Sequence, residues 1–146
     1  MTLRLLQKHR RVAIDSNVLI YLLEGSGDLA GRSADLLDDI ANGAGEGVLS
    51  VLTLAEVCSG PARIGDTGMV ERYAEELTSL ENVAVVPIDA DVAVEAALLR
   101  GAGSLSMGDA LQLATARAGG ATAFVTNDRR ISAVHRLEVV YLDELS

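Results

Sequence analysis

Val12-Ala13-Ile14-Asp15-Ser16-Asn17-Val18-Leu19-Ile20 joins a short apolar run to a short apolar helix through three polar residues. Val12 to Ile14 follows a basic segment and reads as a buried strand ending at Asp15. Asn17 to Leu23 reads as a helix, broken at Gly25 and Gly27. A buried strand that passes directly into a helix is the repeating unit of a parallel α/β sheet, and the same alternation continues downstream. Ala34, Leu37, Ile40 and Ala41 recur at helical spacing within residues 30–41, until the turn Gly43 to Gly47. Val48 to Val51 is a second strand, followed by a helix opening at Thr53 and a break around Gly60-Pro61. An amphipathic helix over Met69 to Leu80 leads to a third strand, Val83 to Val86, closed by Pro87. Helices are expected over Asp91 to Arg100 and Ser106 to Ala118, then a strand over Thr122 to Val125. A short helix from Asp128 and a fifth strand over Val139 to Leu142 complete the pattern. No repeat or linker divides residues 1–146, so the expectation is one α/β domain: a mostly parallel five-stranded sheet with helices on both faces.

Composition narrows the classes. The chain is 49% hydrophobic but only 3% aromatic, so Leu, Val, Ile and Ala must build the core. No apolar stretch approaches the roughly 18 residues that would span a bilayer, and the basic residues near the start follow the short apolar piece, the wrong order for a secretory signal. The lone Cys58 has no partner for an internal disulfide and is expected to be inert, which favours a reducing, cytoplasmic setting. With His9 and His135 the only histidines, a metal would have to be held by oxygen. The net charge of −9 argues against a nucleic-acid partner. Yet basic residues cluster at Lys8, Arg10 and Arg11 and again at Arg129, Arg130 and Arg136, and a cation would neutralise acids gathered in a site. Gly43-x-Gly45-x-Gly47 closes a helix and enters a strand, the reverse of a dinucleotide fingerprint.

Those acids are Asp15, Glu56, Asp109 and Asp128. Ligands in an open parallel sheet bind beyond the carboxyl ends of the strands. Asp15 ends the first strand, Glu56 lies one turn into the helix after the second, and Asp128 follows the fourth. Asp109 opens the helix that leads into that fourth strand. Taken singly, each reads as an ordinary helix cap: Thr53-x-x-Glu56 and Ser106-x-x-Asp109 resemble capping boxes, and Asp15 and Asp128 suit N-caps. Taken together, carboxylates converging on one cleft repel unless a cation joins them. An all-oxygen set selects Mg²⁺ or Mn²⁺.

In order and spacing, Val-Ala-Ile-Asp15-Ser-Asn-Val-Leu-Ile, Leu-Thr-Leu-Ala-Glu56-Val, Met-Gly-Asp109-Ala-Leu-Gln-Leu-Ala-Thr-Ala and Phe-Val-Thr-Asn-Asp128-Arg-Arg resemble the four signature segments of the PIN domain, over residues 11–141. At this length the chain is similar to VapC-type toxins of toxin–antitoxin pairs. The resemblance implies a single PIN-like domain and a Mg²⁺- or Mn²⁺-dependent endoribonuclease, usually a homodimer held inactive by an antitoxin. By motif position, Asp15 and Asp109 would be the main metal ligands, with Glu56 and Asp128 completing the set and Asn17 and Thr126 as polar neighbours. The departure is at Ile131, where the family often has an aromatic. Such chemistry needs an activated water, a neutralised phosphate and a stabilised leaving oxygen, all of which carboxylate-held metal can supply. The base would be a carboxylate of raised pKa or a water on the metal.

Arg129 and Arg130 are the better candidates for RNA phosphates, ahead of Arg10 and Arg11, and Tyr21 is a candidate for base stacking. The helix Val18 to Leu23 is apolar on more faces than one monomer easily buries, which suggests a groove for a partner helix. A phosphorylated receiver domain or an aspartate-based phosphatase would share the fold, but both want a late lysine, and Lys8 is the only lysine here. The remaining rival is a non-catalytic PIN-like scaffold that binds RNA or protein without cutting.

Overall fold

The computed structural model describes residues 2–25, 27–132, 134 and 136–145. Five strands form one sheet: β1 (Arg11–Ile14), β2 (Glu46–Ser50), β3 (Val83–Val86), β4 (Ala123–Thr126) and β5 (Glu138–Tyr141), in the order β3-β2-β1-β4-β5. Every neighbouring pair is parallel. The strand order reverses at β1, which lies between β2 and β4, so the carboxyl ends of β1 and β4 flank the crevice where such sheets bind ligands.

Pleating sends alternate residues to opposite faces. Val12, Ile14, Leu49, Ala123 and Val125 enter one core, with Val18 and Leu19 of α2 (Ser16–Glu24) and Leu36 and Ile40 of α3 (Asp28–Ala41). Val57 of α4 (Val51–Arg63) and Leu77 of α5 (Thr67–Thr78) close that layer. Ala13, Val48 and Phe124 face the other way, against Leu113 and Ala116 of α7 (Met107–Ala118). Outside α7 lies α6 (Ala90–Gly101), the two helices meeting through Val92, Ala96, Ala110 and Ala114. Ile131 is fully buried in the second core. Among the described residues no helix is long and apolar enough to cross a membrane.

Four local expectations change. An additional helix, α1 (Thr2–Lys8), buries Leu5 and Leu6 against the first core. His9, just after it, pins it in place: its ring nitrogens lie 2.8 Å from Thr122 Oγ1 and 2.8 Å from Glu138 Oε2. The basic cluster beside it is taken up by acids at the amino-terminal edge of the sheet, Lys8 by Glu138 and Arg10 and Arg11 by Glu46. Pro61 does not break α4 but sits in its last turn, two residues before the helix ends at Arg63. No helix starts at Asp128, which forms a turn with Arg130.

The fourth change concerns the start of α4. It begins at Val51, capped by Ser50, whose Oγ accepts from the Leu52 N–H at 3.1 Å. Thr53 is therefore inside the helix and Glu56 is not the acid of a capping box. Ser50→Ala is expected to cost about 1 kcal/mol through the lost cap, read as a lower urea midpoint with an unchanged slope.

Candidate active site

Asp15 is the N-cap of α2, so its carboxylate is aimed by the step from β1 into the helix. One oxygen accepts from the Ser16 N–H at 2.8 Å, and the other from Thr126 Oγ1 at 2.7 Å and Asn17 Nδ2 at 3.3 Å. Thr126, at the end of β4, is fully buried; its Oγ1 also receives Asn17 Nδ2 and the Asp128 N–H. Asn17 Oδ1 accepts from the Asn127 N–H, tying α2 to the loop after β4, and Asn127 Oδ1 in turn accepts from the Asp143 N–H just after β5. Asn17 and Thr126 therefore orient Asp15 from two elements.

Asp15 is 6% exposed, and all its hydrogen-bond donors are neutral. Burial pushes its carboxyl up to about 6 from the ordinary 3.8, while bonds from Thr126 and Ser16 pull it down and the negative charges of Glu56 and Asp109 raise it further. Three of the four expected acids thus share one electrostatic neighbourhood. Among the described residues no Lys or Arg pairs with Asp15, Glu56 or Asp109.

Glu56 projects from α4 and is held from two sides, by Gln112 Nε2 at 2.8 Å and Ser16 Oγ at 3.3 Å, both on Oε1. Gln112 is 3% exposed and also donates to Thr53 Oγ1 at 3.0 Å. Neither Gln112 nor Ser16 stood out as a site residue in the sequence. The available signal was a lone amide on the inner side of an otherwise apolar helix, which calls for a buried partner. Gln112→Leu should leave the Thr53 hydroxyl unpaired, at about 1–3 kcal/mol, and free Glu56 to swing. Mn²⁺ affinity is then expected to fall about tenfold, in the range for partners that orient a ligand; calorimetric titration would measure it.

Asp109 lies in the first turn of α7, its N–H bonded to Ser106 Oγ at 3.1 Å. Ser106 caps the helix as expected, but the reciprocal half of a capping box is missing among the described residues, and the Asp109 carboxylate stays free. Asp128 differs from the other three. Both its oxygens are engaged by Arg130, Oδ1 at 3.0 Å from Nε and Oδ2 at 2.7 Å from Nη2, and these bonds hold its carboxyl below the usual carboxylate range. Arg129 turns elsewhere, lying 3.9 Å over the Tyr141 ring and 2.6 Å from Asp143.

Hard carboxylate oxygens, one of them buried without a counter-charge, fit a small divalent cation. Among the described residues, which exclude His135, no three acidic, His or Cys side chains stand close enough as they lie to enclose one ion. The carboxylates converge without closing.

A family model described as PIN domain matches residues 12–137. No curated protein matches the chain significantly. Among solved structures, the fold is similar to VapBC2 of Rickettsia felis bound to a promoter DNA fragment (TM-score 0.71, 16% identity, covering 90% of this chain and 98% of that one). It is similar also to FitAcB of Neisseria gonorrhoeae (0.69, 21%, covering 92% and 99%) and to a toxin–antitoxin complex of Klebsiella pneumoniae (0.64, 22%, covering 86% and 94%).

Proposed function

The chain belongs to the PIN-domain family, and from that premise we propose that it is a Mg²⁺- or Mn²⁺-dependent endoribonuclease, the toxin of a toxin–antitoxin pair. The observation that carries this reading is Asp15: a buried carboxylate at the switch point of the sheet, without a cationic partner, facing the charges of Glu56 and Asp109. A merely structural carboxylate in such a place would carry a neutralising partner.

Asp15, Glu56 and Asp109 would hold the cation, with Asp128 the fourth carboxylate of the cleft. A divalent cation there supplies charge neutralisation at the phosphate and a water acidic enough to attack it. The chain's own part is to orient the acids. Thr126, Asn17 and the Ser16 N–H fix Asp15, while Gln112 and Ser16 fix Glu56. Held at one edge of the sheet, these acids would bring an RNA phosphate within reach of such a cation.

The protein partner would be an antitoxin. Val18 and Leu19 of α2 are fully buried, but Ile20, Tyr21, Leu22 and Leu23 are only partly covered. Leu22 lines a hollow of about 200 Å³ with Leu37, Leu80 and Val83, which suits an apolar helix of the antitoxin. Partial burial at Tyr21 favours such a contact over base stacking. A homodimer would cover Val94 and Leu98, exposed one turn apart on α6.

The test is RNA cleavage by the purified protein with Mg²⁺ or Mn²⁺, with chelator, and after addition of the product of an adjacent small gene. Cleavage is expected with the metals, none with chelator, and inhibition by the partner. Cutting that persists in chelator would overturn the metal-dependent reading. Intact RNA with bound Mn²⁺ absent would favour the scaffold.

A further inference from the structure

Resting on the reading above, we infer that Asp128 is not a ligand of the cation but the anchor of Arg130, whose guanidinium it holds at the mouth of the acidic cleft to receive a phosphate of the RNA strand. The carboxylate of Asp128 is turned back on its own turn. Oδ1 accepts from the Arg130 N–H at 3.0 Å and from Nε at 3.0 Å, and Oδ2 from Nε at 3.2 Å and Nη2 at 2.7 Å. Backbone and side chain of one residue thus fix both oxygens, which leaves neither lone-pair set aimed freely at an ion. Asp15, Glu56 and Asp109 have no such counter-charge among the described residues. Asp128 is neutralised within its own pair.

Arg130 is equipped for the second half of the role. Its side chain is 81% exposed, and among the described residues its Nη1 donates to nothing, so N–H groups remain for a phosphate. It feels the charge of Asp109 on one side. It also lines a hollow of about 400 Å³ bounded by Leu105, Ser104, Ser132 and Val134. A strand crossing from that hollow to the acids would pass the guanidinium. Arg129 is not the equivalent group, because the Tyr141 ring and Asp143 already occupy it.

The decisive variant is Asp128→Asn/Arg130→Gln, which removes one charge of each sign and leaves the net charge at −9. Mn²⁺ alone is titrated into wild type and the double variant by calorimetry, after both are shown to unfold cooperatively. A short fluorescein-labelled single-stranded RNA is then bound with Ca²⁺ in place of Mg²⁺, over a series of salt concentrations. Mn²⁺ affinity is expected to stay within about threefold of wild type, while RNA affinity falls about tenfold, the size of one charge-assisted hydrogen bond. The salt slope should shrink by about one. A Mn²⁺ affinity lowered tenfold or more would make Asp128 a ligand and overturn the inference alone. Unchanged RNA affinity and salt slope would reduce the pair to a turn staple and overturn it equally. Failure of wild type itself to take up Mn²⁺ would remove the metal-dependent reading and the inference with it.

Discussion

Asp15→Asn is expected to lower metal-dependent RNA cleavage by well over a hundredfold while making the metal-free protein more stable at pH 7. The loss should exceed the roughly 10–100-fold typical of residues that only orient a ligand, because here the proposed ligand itself is changed. The gain in stability follows from burial. A carboxyl raised from 3.8 to about 6 on folding carries a cost of about 3 kcal/mol in its ionised form. Asn keeps the helix cap and removes that cost, but weakens the bonds from Ser16 and Thr126, leaving a net gain of about 1–2 kcal/mol. The pH dependence has a definite sign. Because the folded pKa lies above the unfolded one, this group's contribution to stability is fully present below about pH 4 and is lost as pH rises through about 6. Urea unfolding of the metal-free wild type should therefore show this contribution increasing between pH 7 and pH 4.5, and the increase should shrink in Asp15→Asn. A variant less stable than wild type at pH 7, with the same pH response, would mean that Asp15 is an ordinary cap.

Asp109→Asn separates cap from ligand by the sign of one measurement. As a support for α7 alone, the carboxylate contributes about 0.3–1 kcal/mol through the helix dipole, and its removal destabilises. As a neighbour of Asp15 it also repels that carboxylate. Two unit charges about 5 Å apart repel by roughly 3 kcal/mol at an effective dielectric near 20, and solvent at this half-buried position screens part of that. In chelator the variant should come out about 1 kcal/mol more stable than wild type. Excess Mg²⁺ should reverse the order, since wild type gains about 2.7 kcal/mol at a hundred times its dissociation constant and the variant gains little. Lower stability in chelator with an undiminished response to Mg²⁺ would assign Asp109 to the cap.

The sheet was legible in the sequence because each strand is a short branched-apolar run bounded by Gly, Pro or an acid, and periodicity marked the helices between them. The strand order, which puts β1 at the centre and the switch point beside Asp15, came only with the fold. What was not legible depended on long-range partners. Pairing of Thr53 with Gln112, 59 residues away, decides that Thr53 packs inside α4 and does not cap it. Ser50 takes the cap one turn earlier because β2 ends there, a boundary that composition leaves open by a few residues. The helix expected from Asp128 is replaced by a turn because Arg130 captures the carboxylate that would have capped it. α1 has too few apolar residues to announce itself, and it is held by His9 reaching β4 and β5. At the site, the four acids were visible as a set, whereas the distinction between three unpaired carboxylates and one paired with Arg130 required the fold.

The central claim is that Asp15 is a cation ligand whose carboxyl is partly protonated near neutral pH. Calorimetric titration of Mn²⁺ into the metal-free protein at pH 6, in buffers of different ionisation enthalpy, tests it most directly. A carboxyl with a pKa of about 6 must give up its proton when metal binds, so about half a proton should be released per site at pH 6 and almost none at pH 8. Asp15→Asn should abolish both the binding and the release. Saturable Mn²⁺ binding that survives Asp15→Asn, or no binding to the wild-type protein, would contradict the account.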